Sequence, residues 1–210
     1  MVLKNFVVFE GIDGAGTSTQ IELLKCSRHS ASFDFSAEPT EKETGKFLRR
    51  VLKGDFSLDV RTTAYLFAAD RAEHIWAKGG IADKSREGKI CVSDRYLFSN
   101  LAYQGVTCGE ELPRLLNSPF PLPQVLFFFK IDPAVSLSRI GGRKTREIYE
   151  KIDFLQETER RYEEIIGGYE RESEKSGMKV VTLDAAKPMN EVNAKIVETL
   201  VQIGLLEEDA

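Results

Sequence analysis

A chain of 210 residues with 42% hydrophobic, 30% charged and 10% aromatic side chains has enough apolar material to bury a sizeable core. No apolar run approaches the ~20 residues of a membrane-spanning helix, and the first residues enter a strand pattern rather than a secretion signal. The expectation is therefore a cytoplasmic protein with no membrane partner. A net charge of −4 offers no general attraction to nucleic acid, and the three cysteines, at 26, 91 and 108, lack the paired spacing of a metal site.

Residues 3–9 read as a β-branched and aromatic strand, followed by a glycine-bearing loop and by a helical pattern that starts at Ser18. Residues 32–36 form a second short strand, which leads through Glu38-Pro39-Thr40 to a charged helix over 44–53. Apolar positions at helical spacing mark a long helix over 59–78, stopped by Gly79-Gly80. A third strand, 89–93, ends in Asp94-Arg95 and precedes a helix over 96–103. Residues 124–131 are apolar on both faces, as a buried parallel strand should be. A helix over 133–140, a long charged helix near 148–175, a fifth strand over 178–183 and a helix over 190–203 complete the pattern.

Strands alternating with helices imply right-handed crossovers, so the predicted fold is α/β: a doubly wound five-stranded parallel sheet flanked by helices. The compositional break at Gly141-Gly142-Arg143-Lys144-Thr145-Arg146 reads as a mobile basic lid near 141–150. It is not a boundary, which leaves residues 1–210 as one domain. The acidic end, Glu207-Glu208-Asp209-Ala210, reads as a frayed tail.

Gly11-Ile12-Asp13-Gly14-Ala15-Gly16-Thr17-Ser18 lies between a strand and a helix, where a phosphate loop belongs. Glycines let several backbone N–H groups face phosphates, and the helix start adds its positive end. Ser18 is placed to offer its hydroxyl to Mg²⁺, and Thr19 to reach a further phosphate oxygen. The pattern G-x-x-x-x-G-K-[ST] is met except at the lysine, which is Thr17. A unit charge about 4 Å from a phosphate oxygen contributes on the order of 4 kcal/mol at an effective dielectric near ~20. Another cation has to serve in its place, and Arg143, Lys144 and Arg146 in the lid are the candidates.

Asp94-Arg95 ends a strand at the edge where open α/β sheets bind ligands. Asp94 suits a water-mediated hold on Mg²⁺, and the planar fork of Arg95 suits an acceptor phosphate. Arg95, Ser99 and Tyr103 recur at i, i+4 and i+8 and so share a helix face, which would leave Gln104 toward solvent. Phe67, Arg71 and His74 share a face of the earlier helix. There an aromatic ring one turn from an arginine suits a stacked base, although Phe67 taken alone reads as core. His74 and His29 have no nearby nucleophile or metal partner and read as non-catalytic, and Trp76 reads as core or interface.

Together these residues resemble the thymidylate kinase family of P-loop enzymes. The resemblance rests on Phe9-Glu10-Gly11-Ile12-Asp13-Gly14-Ala15-Gly16 followed by Ser18-Thr19-Gln20, and on Leu66-Phe67-Ala68-Ala69-Asp70-Arg71-Ala72-Glu73-His74. It is carried further by Asp94-Arg95-Tyr96 with Ser99, Ala102, Tyr103 and Gln104, and extends through Leu183-Asp184-Ala185 on the adenine side. It implies phosphorylation of dTMP with ATP as donor and Mg²⁺ as cofactor, by a homodimer. ATP would lie on residues Gly11, Ile12, Asp13, Gly14, Ala15, Gly16, Thr17, Ser18 and Thr19. Arg95 and Arg49 would hold the dTMP phosphate, beside Glu38 and Pro39, with Asp13 near both the sugar and the metal-bound phosphates. Phe67 would stack on thymine, Arg71 would bond its carbonyl, Ser99 and Gln104 would read the base, and Tyr103 would crowd the 2′ position. Gly14, where some members carry arginine, and Arg143 and Arg146 point to the variant whose catalytic cation comes from the lid.

Three departures accompany the resemblance: Thr17 for lysine, no Gly-Gly after Pro39, and Gln124 where aspartate is usual. Two alternatives stay open on the residues alone. One is a kinase for another nucleoside monophosphate. The other is a degenerate member that binds nucleotides without efficient turnover.

Overall fold

The computed structural model describes residues 1–140, 149 and 151–207. Val7, Val8, Phe9, Val92, Leu126, Phe127 and Phe129 have no place at a surface, and all are buried in the middle of one sheet. Its strands are β1 (Val2–Glu10), β2 (Phe33–Ala37), β3 (Ile90–Asp94), β4 (Leu122–Lys130) and β5 (Lys179–Asp184). They run in the order β2-β3-β1-β4-β5, and every pairing is parallel. The sheet is thus the one the strand–helix alternation predicts. From β1 the chain crosses two places to β2 and returns through β3, and from β3 it crosses to the other side at β4. Loops that leave β1 and β3 therefore open a crevice at their carboxyl ends.

The flanking helices are α1 (Thr17–Lys25), α2 (Glu43–Leu52), α3 (Val60–Trp76), α4 (Ile81–Arg86), α5 (Leu97–Cys108) and α6 (Glu111–Asn117). Then come α7 (Pro133–Ile140), α8 (Ile152–Arg171), α9 (Ser173–Ser176) and α10 (Met189–Gln202). The sequence pattern lacks α4 and α6, whose six and seven residues are too short to show a helical period. The long charged helix is two, because Glu172 breaks the run between α8 and α9. The basic lid with Arg143, Lys144 and Arg146, and the tail from 208, lie outside the described residues.

At Gln124 the departure from the family pattern has a local reason. Its Oε1 accepts the backbone N–H of Asn5 at 2.7 Å, where Asn5 takes a φ of 55° and the β1–β4 register shifts. All three cysteines are free thiols. Trp76 is half exposed and stacks on Phe120 with ring centroids 4.8 Å apart, so it caps the edge of the core rather than filling it.

One core-facing group on α8 makes stability pH-dependent. Burial pushes the Glu159 carboxyl from its ordinary 4.5 up to about 7. Between those values the folded chain holds a proton the unfolded chain has released. Stability contributed by that proton is complete below the unfolded value and is lost as pH rises through the folded one, by at most ~1.4 kcal/mol per pH unit. Glu159→Gln, which is neutral throughout, is expected to flatten the fall in urea-unfolding free energy between about pH 5 and about pH 7. Identical slopes in the two proteins would show that Glu159 does not titrate there.

Candidate active site

The crevice starts where β1 ends and the backbone turns into α1. Gly14 holds a φ of +84°, and a Cβ there would come within 2.7 Å of the Ser136 carbonyl oxygen on α7. An arginine at this position therefore has no room, which agrees with the glycine found. Gly16, with a φ of +97°, occupies the N-cap of α1, and no side chain caps that end. The first N–H groups of α1 are thus left facing the crevice, with the positive end of the helix behind them. Ser136 Oγ donates to the Asp13 carbonyl, and Arg139 spans from the Gly14 carbonyl at 3.5 Å to the Ala185 carbonyl at 3.1 Å. Helix α7 therefore pins the loop from outside.

Across the crevice, β3 ends at Asp94. The Ser18 hydroxyl donates to Asp94 Oδ2 at 2.8 Å, while Asp94 Oδ1 is buried without a hydrogen-bond partner among the described residues. A hydroxyl and a carboxylate with one oxygen unmet suit a hydrated divalent cation. The described residues contain no cluster of three or more His, Cys, Asp or Glu side chains that would hold a metal alone, so a cation here would need further ligands from water or a bound molecule.

Arg95 does not ride on the helix that the i, i+4, i+8 spacing suggests. It sits before α5 with a φ of +73°, and Tyr96 is extended, so the helix begins only at Leu97. The left-handed turn swings the guanidinium back onto the expected neighbours. Nη1 donates to Ser99 Oγ at 3.1 Å, Nη2 donates to Asp13 Oδ1 at 2.7 Å, and the cation lies 5.3 Å from the Tyr103 ring centre. The Tyr103 hydroxyl accepts the Asp13 N–H at 3.2 Å and lies 3.1 Å from Asp13 Oδ2, to which it donates. Burial pushes that phenol well above its usual range, so it stays protonated.

Beneath Arg95 lies a residue the sequence reading passed over. Glu10, the last residue of β1, is fully buried. Its Oε1 accepts the backbone N–H groups of Tyr96 at 2.8 Å and Ser99 at 3.1 Å. Its Oε2 accepts the Ser99 hydroxyl at 2.5 Å and the Tyr162 hydroxyl at 2.9 Å. Burial raises its carboxyl to about 7, against the pull of the Ser99 hydrogen bond, the Arg95 charge and Tyr162. The one hydrogen of the Ser99 hydroxyl goes to Glu10, one lone pair faces Arg95, and the Tyr162 hydroxyl lies 2.7 Å away, so Ser99 belongs to the cluster that holds Arg95 at the cavity wall.

The far end of the crevice is built on α3 and α5. Phe67 is half-buried and lines the cavity, so it is not the core residue its helix position suggests. Arg71 is buried, with Nε at 3.0 Å and Nη2 at 2.7 Å from Glu38 Oε2, and its Nη1 donates to Asn117 Oδ1. The other Glu38 oxygen lies 3.0 Å from His74 Nδ1, so Glu38 serves Arg71 and His74 rather than presenting a free carboxylate. Gln104 is buried, not solvent-facing, and donates to the Tyr149 hydroxyl at 3.2 Å. Its amide is held between Asn100 Nδ2, which donates to its Oε1 at 2.8 Å, and Tyr149 from beyond α7, a long-range contact that no helical wheel shows. Arg49 donates to the Pro39 carbonyl and pairs with Glu41 at 2.9 Å, at the rim.

One cavity of about 590 Å³ joins these parts, from the loop at Ile12–Thr19 through Arg95 and Tyr103 to Phe67, Arg71 and Gln104. Pro39, Arg49, Asp94 and Ser99 also line it, whereas Arg143 and Arg146 lie outside the described residues. Arg139, Asn100 and Tyr149 line it too and were not foreseen. Arg139 alone had a readable signal, as the basic last turn of a helix that leads into the basic lid.

The family model described as thymidylate kinase matches residues 9–196. A relative from Treponema pallidum is 41% identical over 203 residues, covering 95% of this chain and 96% of its own. The thymidylate kinase of Malacoplasma penetrans is 32% identical over 207 residues, 94% of this chain and 95% of its own. The solved structure of a thymidylate kinase from Candida albicans superposes with a TM-score of 0.77 at 24% identity, over 99% of this chain and 96% of that one. At that identity it bears on the fold.

The loop geometry carries its own test. Gly14→Ala forces an L-residue to a positive φ and drives a Cβ against a backbone carbonyl, which costs roughly 2 kcal/mol or more. Urea denaturation of Gly14→Ala is expected to show a loss of that size. An unchanged midpoint would mean that α7 does not fix this loop.

Proposed function

The chain belongs to the thymidylate kinase family, and on that premise we infer how its side chains move a phosphoryl group from ATP to dTMP. The enzyme is a phosphotransferase that converts dTMP to dTDP with ATP as donor, and the two alternatives left open by the residues alone are not favoured. The observation that carries the assignment of roles is Arg95, held between Asp13 and Ser99 at the mouth of the phosphate loop.

In this reading the triphosphate of ATP lies along residues 11–19, met by loop N–H groups and the start of α1. The adenine lies toward Arg139 and Ala185, which share the cavity wall. Ser18 and Asp94 hold Mg²⁺, which supplies positive charge against the donor phosphates when bound. Arg95 and Arg49 grip the dTMP phosphate near Asp13, and Tyr103 fills the space a 2′-hydroxyl would need. Phe67 stacks on thymine, and Arg71 and Gln104 face its polar edge. Phosphoryl transfer asks mainly for alignment and charge neutralisation, which arginines and backbone N–H groups provide without covalent chemistry.

Thr17 leaves one positive charge to be found. A neutral hydroxyl contributes ~1 kcal/mol as a hydrogen-bond donor, against ~1.5–3 kcal/mol for a charged one. We assign the difference to Arg143 and Arg146 in the lid. The unit is one kinase domain over 1–210, placed in the cytoplasm and without a nucleic-acid partner; no helix among the described residues is long and apolar enough to cross a membrane. A homodimer contact fits α3, where Val60, Tyr65 and Trp76 are exposed.

A coupled ADP-release assay with dTMP, dUMP, dGMP, CMP and UMP tests the substrate, and turnover of dTMP above the others is expected. In the same assay Arg143→Ala or Arg146→Ala should lower turnover at least about tenfold, ~1.4 kcal/mol, with a smaller change in the KM for dTMP. Thr17→Lys should restore part of that loss. Normal turnover in both lid variants would place the missing charge elsewhere.

A further inference from the structure

Arg49 lines the cavity with its charge already taken. Its Nη2 donates to the Pro39 carbonyl and lies 2.9 Å from Glu41 Oε1, while its Nε is buried without a hydrogen-bond partner among the described residues. A guanidinium offers five N–H donors, so a single contact from Glu41 leaves the fork incompletely met. The Glu41 side chain keeps 85% of its surface in solvent, against 3% for the Glu38 side chain that pairs with Arg71. One carboxylate is built into the fold, and the other is laid on from outside.

The backbone on either side of Glu41 is fixed. Buried Asp70 accepts the Thr40 N–H at 2.7 Å and the Thr40 hydroxyl at 2.6 Å. Lys42 donates its N–H to the Thr40 hydroxyl at 3.2 Å and its Nζ to the Glu73 carbonyl at 2.7 Å. Helix α2, which carries Arg49, lies so close to this loop that a Cβ at Gly45 would come within 2.0 Å of the Thr40 carbonyl oxygen. Loop and helix therefore form one rigid piece, and opening the ion pair needs only side-chain movement. Thr40-Glu41 stand where the family pattern has Gly-Gly, so this carboxylate belongs to the departure noted after Pro39.

We propose that Glu41 is an internal competitor for the acceptor phosphate: it holds Arg49 while the site is empty and gives way when dTMP binds. This rests on the reading above, in which Arg49 grips that phosphate. A phosphate monoester carries about −1.5 to −2 charges at pH 7 and three acceptor oxygens, whereas Glu41 brings one charge and one contact. The exchange therefore runs toward phosphate. Because Glu41 is largely hydrated, releasing it strands no buried charge. A nucleoside without phosphate leaves the pair in place. Glu41 touches no substrate in this account and acts through Arg49, which the Pro39 carbonyl already aims. A brace and a competitor differ in sign: loss of a brace weakens dTMP, and loss of a competitor tightens it.

The test is isothermal titration of dTMP and of thymidine, without ATP, into wild-type enzyme, Glu41→Gln, Arg49→Ala and the double variant. Glu41→Gln is expected to lower the dissociation constant for dTMP about threefold, within what one exposed ion pair can hold back. Its affinity for thymidine should match wild type. In the Arg49→Ala background the same substitution should change dTMP binding by less than about 1.5-fold, because the competitor has nothing left to hold. Unchanged or weakened dTMP binding in Glu41→Gln overturns the proposal. So does a gain that persists without Arg49, which would be plain repulsion of the phosphate, or one that extends to thymidine. Arg49→Ala separates the two levels. If it leaves dTMP affinity unchanged, Arg49 does not grip the phosphate and that part of the site reading fails with the proposal. If it weakens dTMP while Glu41→Gln tightens nothing, the site reading stands and the competitor falls.

Discussion

The active site depends on a buried carboxyl at the end of a central strand. Glu10 lies beneath the sheet's carboxyl edge and receives hydrogen bonds from the start of α5, from Ser99 and from Tyr162 on α8. Those contacts hold three elements at one point: the strand that feeds the glycine loop, the turn that carries Arg95, and helix α8 through Tyr162. A carboxyl so deeply buried costs the fold free energy unless its acceptors are satisfied. Four donors meet it, and Arg95 adds its charge nearby. The left-handed backbone at Arg95 is unusual for a non-glycine residue. It persists because Glu10 holds the next helix by its first N–H groups and Asp13 takes the guanidinium.

From that point the two halves of the reaction are built differently. The donor half is mostly backbone: glycines, the N-terminus of α1, and α7 pressing the loop into place through Ser136 and Arg139. The other half is mostly side chain, with Arg95 near the loop and the Arg71–Glu38–His74 cluster at the far end; in the function proposed above they face the dTMP phosphate and base. Backbone amides suit an anion of regular shape, and side chains suit a base whose edge has to be distinguished. With no lysine in the loop, the donor half has less fixed positive charge than the pattern calls for. In the function proposed above, that charge falls to Arg143 and Arg146, which lie outside the described residues.

Much of this was legible in the residues. The strand–helix alternation yields the parallel sheet, and the glycines before Ser18 with Asp94-Arg95 after the third strand locate the crevice. What a linear pattern cannot carry is contact between distant segments. Helical spacing put Gln104 toward solvent, yet it is buried and bonded to Asn100 and to the distant Tyr149. The same spacing united Arg95, Ser99 and Tyr103 for the wrong reason, since a left-handed turn rather than a helical stripe brings them together. Glu10 gave no signal because an acidic residue before a glycine loop reads as part of the loop, and Asn117 gave none because α6 is too short to be seen.

If Glu10 organises the acceptor side as described, replacing it should be felt by dTMP far more than by ATP. The direct measurement is steady-state kinetics of Glu10→Gln with each substrate varied in turn. Glutamine keeps the shape but sets an N–H₂ against groups that themselves donate. The account predicts a KM for dTMP raised at least about tenfold, ~1.4 kcal/mol, with the KM for ATP within about twofold of wild type. A folded Glu10→Gln enzyme with wild-type KM for dTMP would contradict it.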